Sequence, residues 1–164
     1  MLGNKGCDAA RILLGLIFLA VIGVLAWVRL SPNDPAAWHV DPLSATRNGM
    51  GGWLVRPEGG DAMSAVYPAE ALAMLDRIAL DTARTTRLAG SVAEGRITYV
   101  TRSLLMGYPD FTTIAALPVS GGITFAIHAR QRFGAGDMGV NRARVENWLA
   151  TLDRALAPTA SNGP

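Results

Sequence analysis

The sequence predicts an α+β protein: an N-terminal transmembrane helix, then a largely antiparallel sheet with two helices packed on one face. Three observations carry this. The run Ile12–Val28 contains no charged residue and is closed by Arg11 and Arg29. Downstream, β-rich segments follow one another, and two stretches with helical period stand among them in the order β-α-β-β-β-β-α. The last strand alternates cleanly, so one of its faces is built to be buried. Strands that follow one another through short turns pair antiparallel, which leaves both helices for the same side of the sheet.

Each element has its own reason. At about 1.5 Å per residue the apolar run spans roughly 26 Å, a little short of a ~30 Å hydrocarbon core. Leu30 extends it, giving a span over 12–30. Trp27 suits the interface, and Arg11 and Arg29 can reach polar surroundings from its ends. Two readings of the run stand. A cleavable signal peptide would use the small-x-small text Val24-Leu25-Ala26 and start the mature chain at Trp27; the uninterrupted run and bulky Trp27 favour a retained anchor. Lys5, Arg11 and the α-amino group precede the run with Asp8 against them, which keeps residues 1–11 cytoplasmic and sends the domain to the exported side.

Residues 31–61 are rich in Pro, Gly, Asn and Asp and show no period, as a linker or wrapping segment would. Trp38 and Trp53 within it suggest that parts lie against the domain or the membrane surface. The α+β domain is expected over 62–157, with 158–164 a tail. Met63–Tyr67 is a short strand candidate. Pro68 then opens a helix over Ala69–Leu80, whose Leu72, Leu75 and Ala79 share one face. Strands are expected at Arg84–Leu88, Arg96–Arg102, Phe111–Leu117 and Ile123–Arg132, with turn-like separators. In the last of these, Ile123, Phe125, Ile127 and Ala129 point one way, and Thr124, Ala126, His128, Arg130 and Arg132 the other. Val140–Leu156 is a second helix, with Val145, Trp148, Leu149, Leu152 and Leu156 along its apolar stripe.

Charge excludes one class of partner. The formal net charge is +2 and the sequence pI about 9.1. From Leu30 onward, however, 12 Arg stand against 12 Asp plus Glu, so the domain is neutral and the surplus sits beside the membrane run. A nucleic-acid binder needs its basic excess on the folded domain. Cys7 is the only cysteine. It precedes the apolar run, so it is not placed as a lipoprotein cysteine, and it has neither a disulfide partner nor a metal partner. Neither His39 nor His128 has a partner at metal-ligand spacing. No Gly-x-Ser-x-Gly elbow and no P-loop is present. No cofactor, metal site or catalytic residue is therefore expected.

The densest pattern is Ala129–Glu146, ARQRFGAGDMGVNRARVE. Its Gly134-Ala-Gly136-Asp-Met-Gly139 fits the text of a dinucleotide-binding turn. That turn needs a parallel strand beyond the following helix, and here Asp137 occupies the place of the phosphate. A capped strand-to-helix turn explains the same residues: Asp137 accepts backbone N–H bonds, Gly134, Gly136 and Gly139 permit left-handed backbone, and Asn141 bonds the turn. The arginines admit two explanations. His128, Arg130, Arg132 and Arg144 could share a surface beside a helix N-terminus that binds an anion or an acidic partner segment. Alternatively, they pair with Asp110, Asp137 or Glu146 in a structural network.

The run RFGAGDMGVNRARVENWL resembles the C-terminal signature of the domain of unknown function 1499 family, found in bacterial and plastid sequences. Arg132, Gly134, Asp137, Gly139, Asn141, Arg142 and Arg144 match it. Gly107, Tyr108 and Asp110 match a second family element, in which Phe111 replaces the second acid. The resemblance covers about 62–156; it implies a membrane- or envelope-associated small domain and no particular activity. Three functions follow as expectations. The first is a non-enzymatic binding or scaffolding module in a bacterial inner membrane, its domain periplasmic, with membrane lipid and an envelope or membrane protein as partners. The others are a carrier or sensor of a lipid-like ligand, and an enzyme of another type.

Overall fold

The computed structural model describes residues 3–46 and 51–157, with side chains from Asp8 onward. The side chains of Lys5 and Cys7, linker residues 47–50 and the tail 158–164 lie outside the described residues. Helix α1 (Gly3–Leu30) contains the apolar run, and its stretch Asp8–Leu30, in which 18 consecutive residues reach a mean hydropathy of 2.5, is long and apolar enough to cross a membrane. Its apolar side chains Ile12 to Val24 are exposed, as lipid-facing side chains would be.

After α1 come a one-turn helix α2 (Pro35–Trp38), strand β1 (Gly52–Val55), helix α3 (Ala71–Asp81), strands β2 (Thr85–Ser91), β3 (Arg96–Arg102), β4 (Pro109–Val119) and β5 (Gly122–Gln131), and helix α4 (Val140–Leu156). The five strands form one antiparallel sheet in the order β1-β5-β4-β3-β2. Beyond α1 and α2 the element order is the expected β-α-β-β-β-β-α.

The first strand is a different segment from the one the sequence suggested. Gly52–Val55, inside the presumed linker, pairs with Ile127–Arg130 along the free edge of β5. Met63–Tyr67 is not a strand. Only Tyr67 bridges to that edge, further along at Ile123, through a reciprocal pair of backbone bonds of 2.7 and 2.9 Å. The edge is already occupied by β1, so the returning chain reaches only its last position, and Met63 and Val66 stay exposed.

Strand parity sorts the sheet into two faces. On one, Val55, Ile97, Tyr99, Ile114, Phe125 and Ile127 meet Leu72 and Leu75 of α3 and Val145, Trp148 and Leu152 of α4. Each such side chain contributes about 1.5–3 kcal/mol when fully buried. Three aromatic side chains of this core have their polar tips satisfied: Tyr99 donates to Asp76 (2.7 Å), Tyr67 to Asp153 (2.9 Å), and the Trp148 indole to Thr82 Oγ1 (2.7 Å). Both helices therefore pack on the expected face.

The opposite face is covered as well. Thr98, Thr113, Ala126 and His128 are buried there, although no helix of ordinary length lies over them. The cover is the segment from Ser31 to Val40, built around α2. Asp34 caps α2 by accepting from Ala36 N (3.0 Å), and Trp38 stacks on Phe111 with centroids 3.8 Å apart and planes 9° from parallel. Residues 31–40 thus form a strap that closes a third layer.

Candidate functional site

Arg130 and Arg132, predicted to share a surface, do lie on the strap side of β5, but their guanidinium groups face the chain itself. Arg130 donates to the carbonyls of Ala37 and Trp38 (3.3 and 3.2 Å) and stacks over the Trp38 ring at 4.8 Å. Arg132 donates to Pro32 O (2.8 Å) and Asn33 Oδ1 (3.2 Å). Arg56, which the sequence did not single out, continues the row by donating to the carbonyls of Leu43, Ala45 and Gly59. Arg130 and Arg132 thus bind successive stretches of the strap, and Arg56 binds loop carbonyls beyond it. A planar cation with five N–H donors suits this task, because strap carbonyls have no strand partner of their own.

Arg144 sits apart, on α4 at the helix side of the sheet. It pairs with Asp110 at 3.0 Å and donates to Asn141 Oδ1 at 2.7 Å, with 10% and 15% of the Arg144 and Asp110 side chains exposed. Burial pushes the Asp110 carboxyl up from its ordinary range; Arg144 pulls it back only in part, and Asp137 adds to the rise. The sheet therefore separates Arg144 from Arg130, and the four predicted residues do not converge on one anion site. Of the two explanations, Arg144 follows the acid pair, whereas Arg130 and Arg132 hold backbone, which neither explanation contained.

His128 is 2% exposed, opposite Thr113 on β4 and Leu54 on β1, and neither ring nitrogen has a hydrogen-bond partner among the described residues. Burial, reinforced by the nearby Arg130 and Arg56 charges, pushes its pKa down to about 4, so the ring is neutral at physiological pH. His39 also packs against this face. Its Nε2 accepts from Arg96 Nε (3.2 Å), which puts the neutral-ring proton on Nδ1, 2.8 Å from Thr98 Oγ1. Thr98 passes the polarity to Thr113 (2.8 Å), and Thr113 donates to Trp38 O (3.3 Å). The result is a one-directional chain that leaves the strap at His39 and returns to it at Trp38. Gly90 makes room for it: with φ at +81°, a Cβ there would come within 2.8 Å of the His39 ring and 2.0 Å of Arg96 O.

The strand-to-helix turn is built around Asp137. One carboxylate oxygen accepts from Gly139 N (3.0 Å) and the other from Asn141 N (2.8 Å), so these two N–H groups at the start of α4 are occupied by protein. Gly134 and Gly139 take positive φ, Gly136 does not, and Met138 takes +54° in its place. Asn141 is fully buried and bonds Arg144 through its side chain. Asp137→Ala is expected to lower domain stability by about 0.5–2 kcal/mol, and Asp137→Asn by clearly less, because Asn keeps an accepting oxygen. Equal losses in thermal melts of the two variants would contradict the cap.

A shallow cleft of about 310 Å³ lies against this turn, with Ser103, Tyr108, Asp110, Phe133, Asp137 and Met138 on its walls. Both of its carboxylates are engaged, Asp110 by Arg144 and Asp137 by backbone. Among the described residues no group of three His, Cys, Asp or Glu side chains is placed to hold a metal.

The strap, the sheet and the Asp137 turn fall within one matched region. The model of the family described as a protein of unknown function (DUF1499) matches residues 32–152, which runs from the strap through β1 to α4 and so takes in the segment read from sequence as a linker. No curated protein and no solved structure matches the chain. With the match spanning most of its length, the chain belongs to the domain of unknown function 1499 family.

Proposed function

We propose that this protein is a membrane-anchored, non-enzymatic binding module that holds an envelope or membrane-protein partner at the bilayer surface. The observation that supports this reading most is the seam between the base of α1 and the end of the sheet. Trp27 meets the Phe133 ring edge-on at 5.2 Å, Arg29 donates to Leu105 O (2.9 Å), and Arg132 grips Pro32 and Asn33 just beyond the helix. A flexible tether would let the domain wander, whereas these contacts fix its height and orientation. Exposed Leu104, Leu105 and Met138 stand at this same end, where a membrane-embedded partner would meet them.

Both sheet faces are covered by the chain itself, which argues against a carrier that encloses an apolar ligand. The engaged state of Asp110 and Asp137 argues against catalysis in the adjoining cleft. We place the protein in a bacterial inner membrane with the domain periplasmic, on the strength of Lys5 and Arg11 before the apolar run. One experiment addresses both proposals: a photo-reactive residue at Met138 in the full chain, with an export-dependent reporter fused after Leu156. The expected result is an active reporter and a cross-linked product of one defined mass, missing when the probe stands at exposed Leu80 on α3. A silent reporter would reverse the orientation, and identical products from both positions would remove the binding surface.

A further inference from the structure

We infer that the cleft between the base of α1 and the β3–β4 turn binds the phosphate of an anionic phospholipid in the leaflet on the domain's side. The cleft measures about 480 Å³ and is lined by Arg29, Arg84, Thr86, Arg102, Ser103 and Leu104. Its three arginines come from three separate elements: the last turn of α1, the residue before β2, and the end of β3. None forms an ion pair among the described residues, in contrast to Arg87, Arg142 and Arg144, which all do.

Each guanidinium is instead oriented by a bond to a backbone carbonyl. Arg29 donates to Leu105 O (2.9 Å), Arg84 to Arg102 O (3.0 Å) and Arg102 to Gly107 O (2.9 Å). One such bond fixes a guanidinium without neutralising it and leaves further N–H donors for a ligand. The Thr86 and Ser103 hydroxyls add uncharged donors to the same walls. The backbone is shaped around the group: Arg84 holds a left-handed φ of +60°, and Gly107, at +72°, leaves the space Arg29 enters. A Cβ on residue 107 would lie 2.9 Å from Arg29 Nε. The C-terminal dipole of α1 opposes an anion here, and three unpaired guanidinium groups outweigh it.

Position selects the ligand. Arg29 stands at the end of the apolar run, the height at which a helix leaves the hydrocarbon. Beside the run, Met106 and the α1 residues Ile17, Ala20, Val21 and Val24 line a wholly apolar recess of about 300 Å³. Between them the turn presents Leu104 and Leu105 at 70% and 81% exposure, apolar side chains that suit the headgroup–acyl boundary. A cationic cup at headgroup level with an apolar groove beside it matches one molecule carrying both a phosphate and acyl chains. A soluble anion would use the cup alone.

The inference requires α1 to stay in the membrane and does not depend on a protein partner. It is tested with the full chain reconstituted in phosphatidylcholine nanodiscs doped with phosphatidylglycerol of the same acyl chains, the retained lipid being counted by native mass spectrometry. Selective retention of phosphatidylglycerol is expected. Arg84→Gln and Arg102→Gln should each weaken it roughly tenfold, by removing charge-assisted bonds. Arg84→Lys should weaken it less, and Arg77→Gln, an exposed arginine on α3, should leave it unchanged. Serine at Leu104 and Leu105 should weaken lipid retention as well. Unaltered phosphatidylglycerol retention by a doubly substituted Arg84→Gln, Arg102→Gln chain with a wild-type melting profile would overturn the proposal. So would displacement of the lipid by inorganic phosphate at matching concentration, which would mark a free-anion site. Photo-cross-linking from Met138 that persists in the double variant would separate failure of this site from failure of the partner reading.

Discussion

Replacing Arg144 by Ala is expected to cost the domain about 3–5 kcal/mol at neutral pH, a large share of the roughly 5–15 kcal/mol that keeps a typical domain folded. The loss comes from what is left behind more than from the bond itself. Asp110 is raised by burial even with its partner present, and Arg144 is the cation that offsets this at 3.0 Å. Without it the carboxylate is buried and uncompensated, and Asn141 Oδ1 loses its donor too. Two controls separate this account from loss of packing. Adding Asp110→Asn to Arg144→Ala should recover a large share of the stability, since no charge then remains to desolvate. The single variant should also lose less in mild acid than at pH 8. With Arg144 gone, the folded-state pKa of Asp110 rises further above its unfolded value, so its contribution falls as pH rises. Chemical denaturation of the two variants across pH decides it; a double variant no more stable than Arg144→Ala would refute the charge argument.

Acid should loosen the strap. His128 is held near pKa 4 in the fold against an ordinary 6.5. Between those values the unfolded chain binds the proton more readily, so stability rises with pH through this window. Full stability holds above about 6.5, and up to about 3 kcal/mol is lost as pH falls toward 4. His39 is lowered as well, by burial first and then by Arg96, with Glu94 opposing, and it adds a contribution of the same sign. His128→Leu leaves no unmade hydrogen bond, because the imidazole makes none among the described residues, and it keeps the volume closely. Its cost near pH 7.5 should stay below about 1.5 kcal/mol. The variant's melts should lose most of the acid slope, with His39 supplying the remainder. An unchanged slope would mean that other groups govern the acid response.

Much of the scaffold was legible in residue order. The limits of β3 and α4 coincide with the sequence expectation, because Arg96–Arg102 and Val140–Leu156 carry strong period and clear ends. Asp137 was legible as a cap from its place before a helical stripe. The short edge strand Gly52–Val55 was not. Four residues that open on a glycine and stop before Arg56-Pro57 show too little period to stand out, and only the free edge of β5 makes them a strand. The cluster of Arg29, Arg84 and Arg102 was equally hidden. Its members lie up to 73 positions apart in the chain (102 − 29), and no spacing rule links them.

The sequence by itself determined which side chains share a face. Period 2 places His128 and Arg130 together on β5, opposite Phe125 and Ile127, and that parity is intrinsic to an extended backbone. It also determined that one helix is long and apolar enough to span a bilayer. Only the tertiary structure decided what each face meets. The arginines on the second face hold the strap's carbonyls because the strap passes there, and His128 is buried and neutral because the same segment covers it. Arg144 finds Asp110 because α4 packs on β1 and β5, and β5 lies beside β4. Periodicity is a property of neighbours along the chain. A partner is set by the path of residues far away in sequence, and no local pattern carries that path.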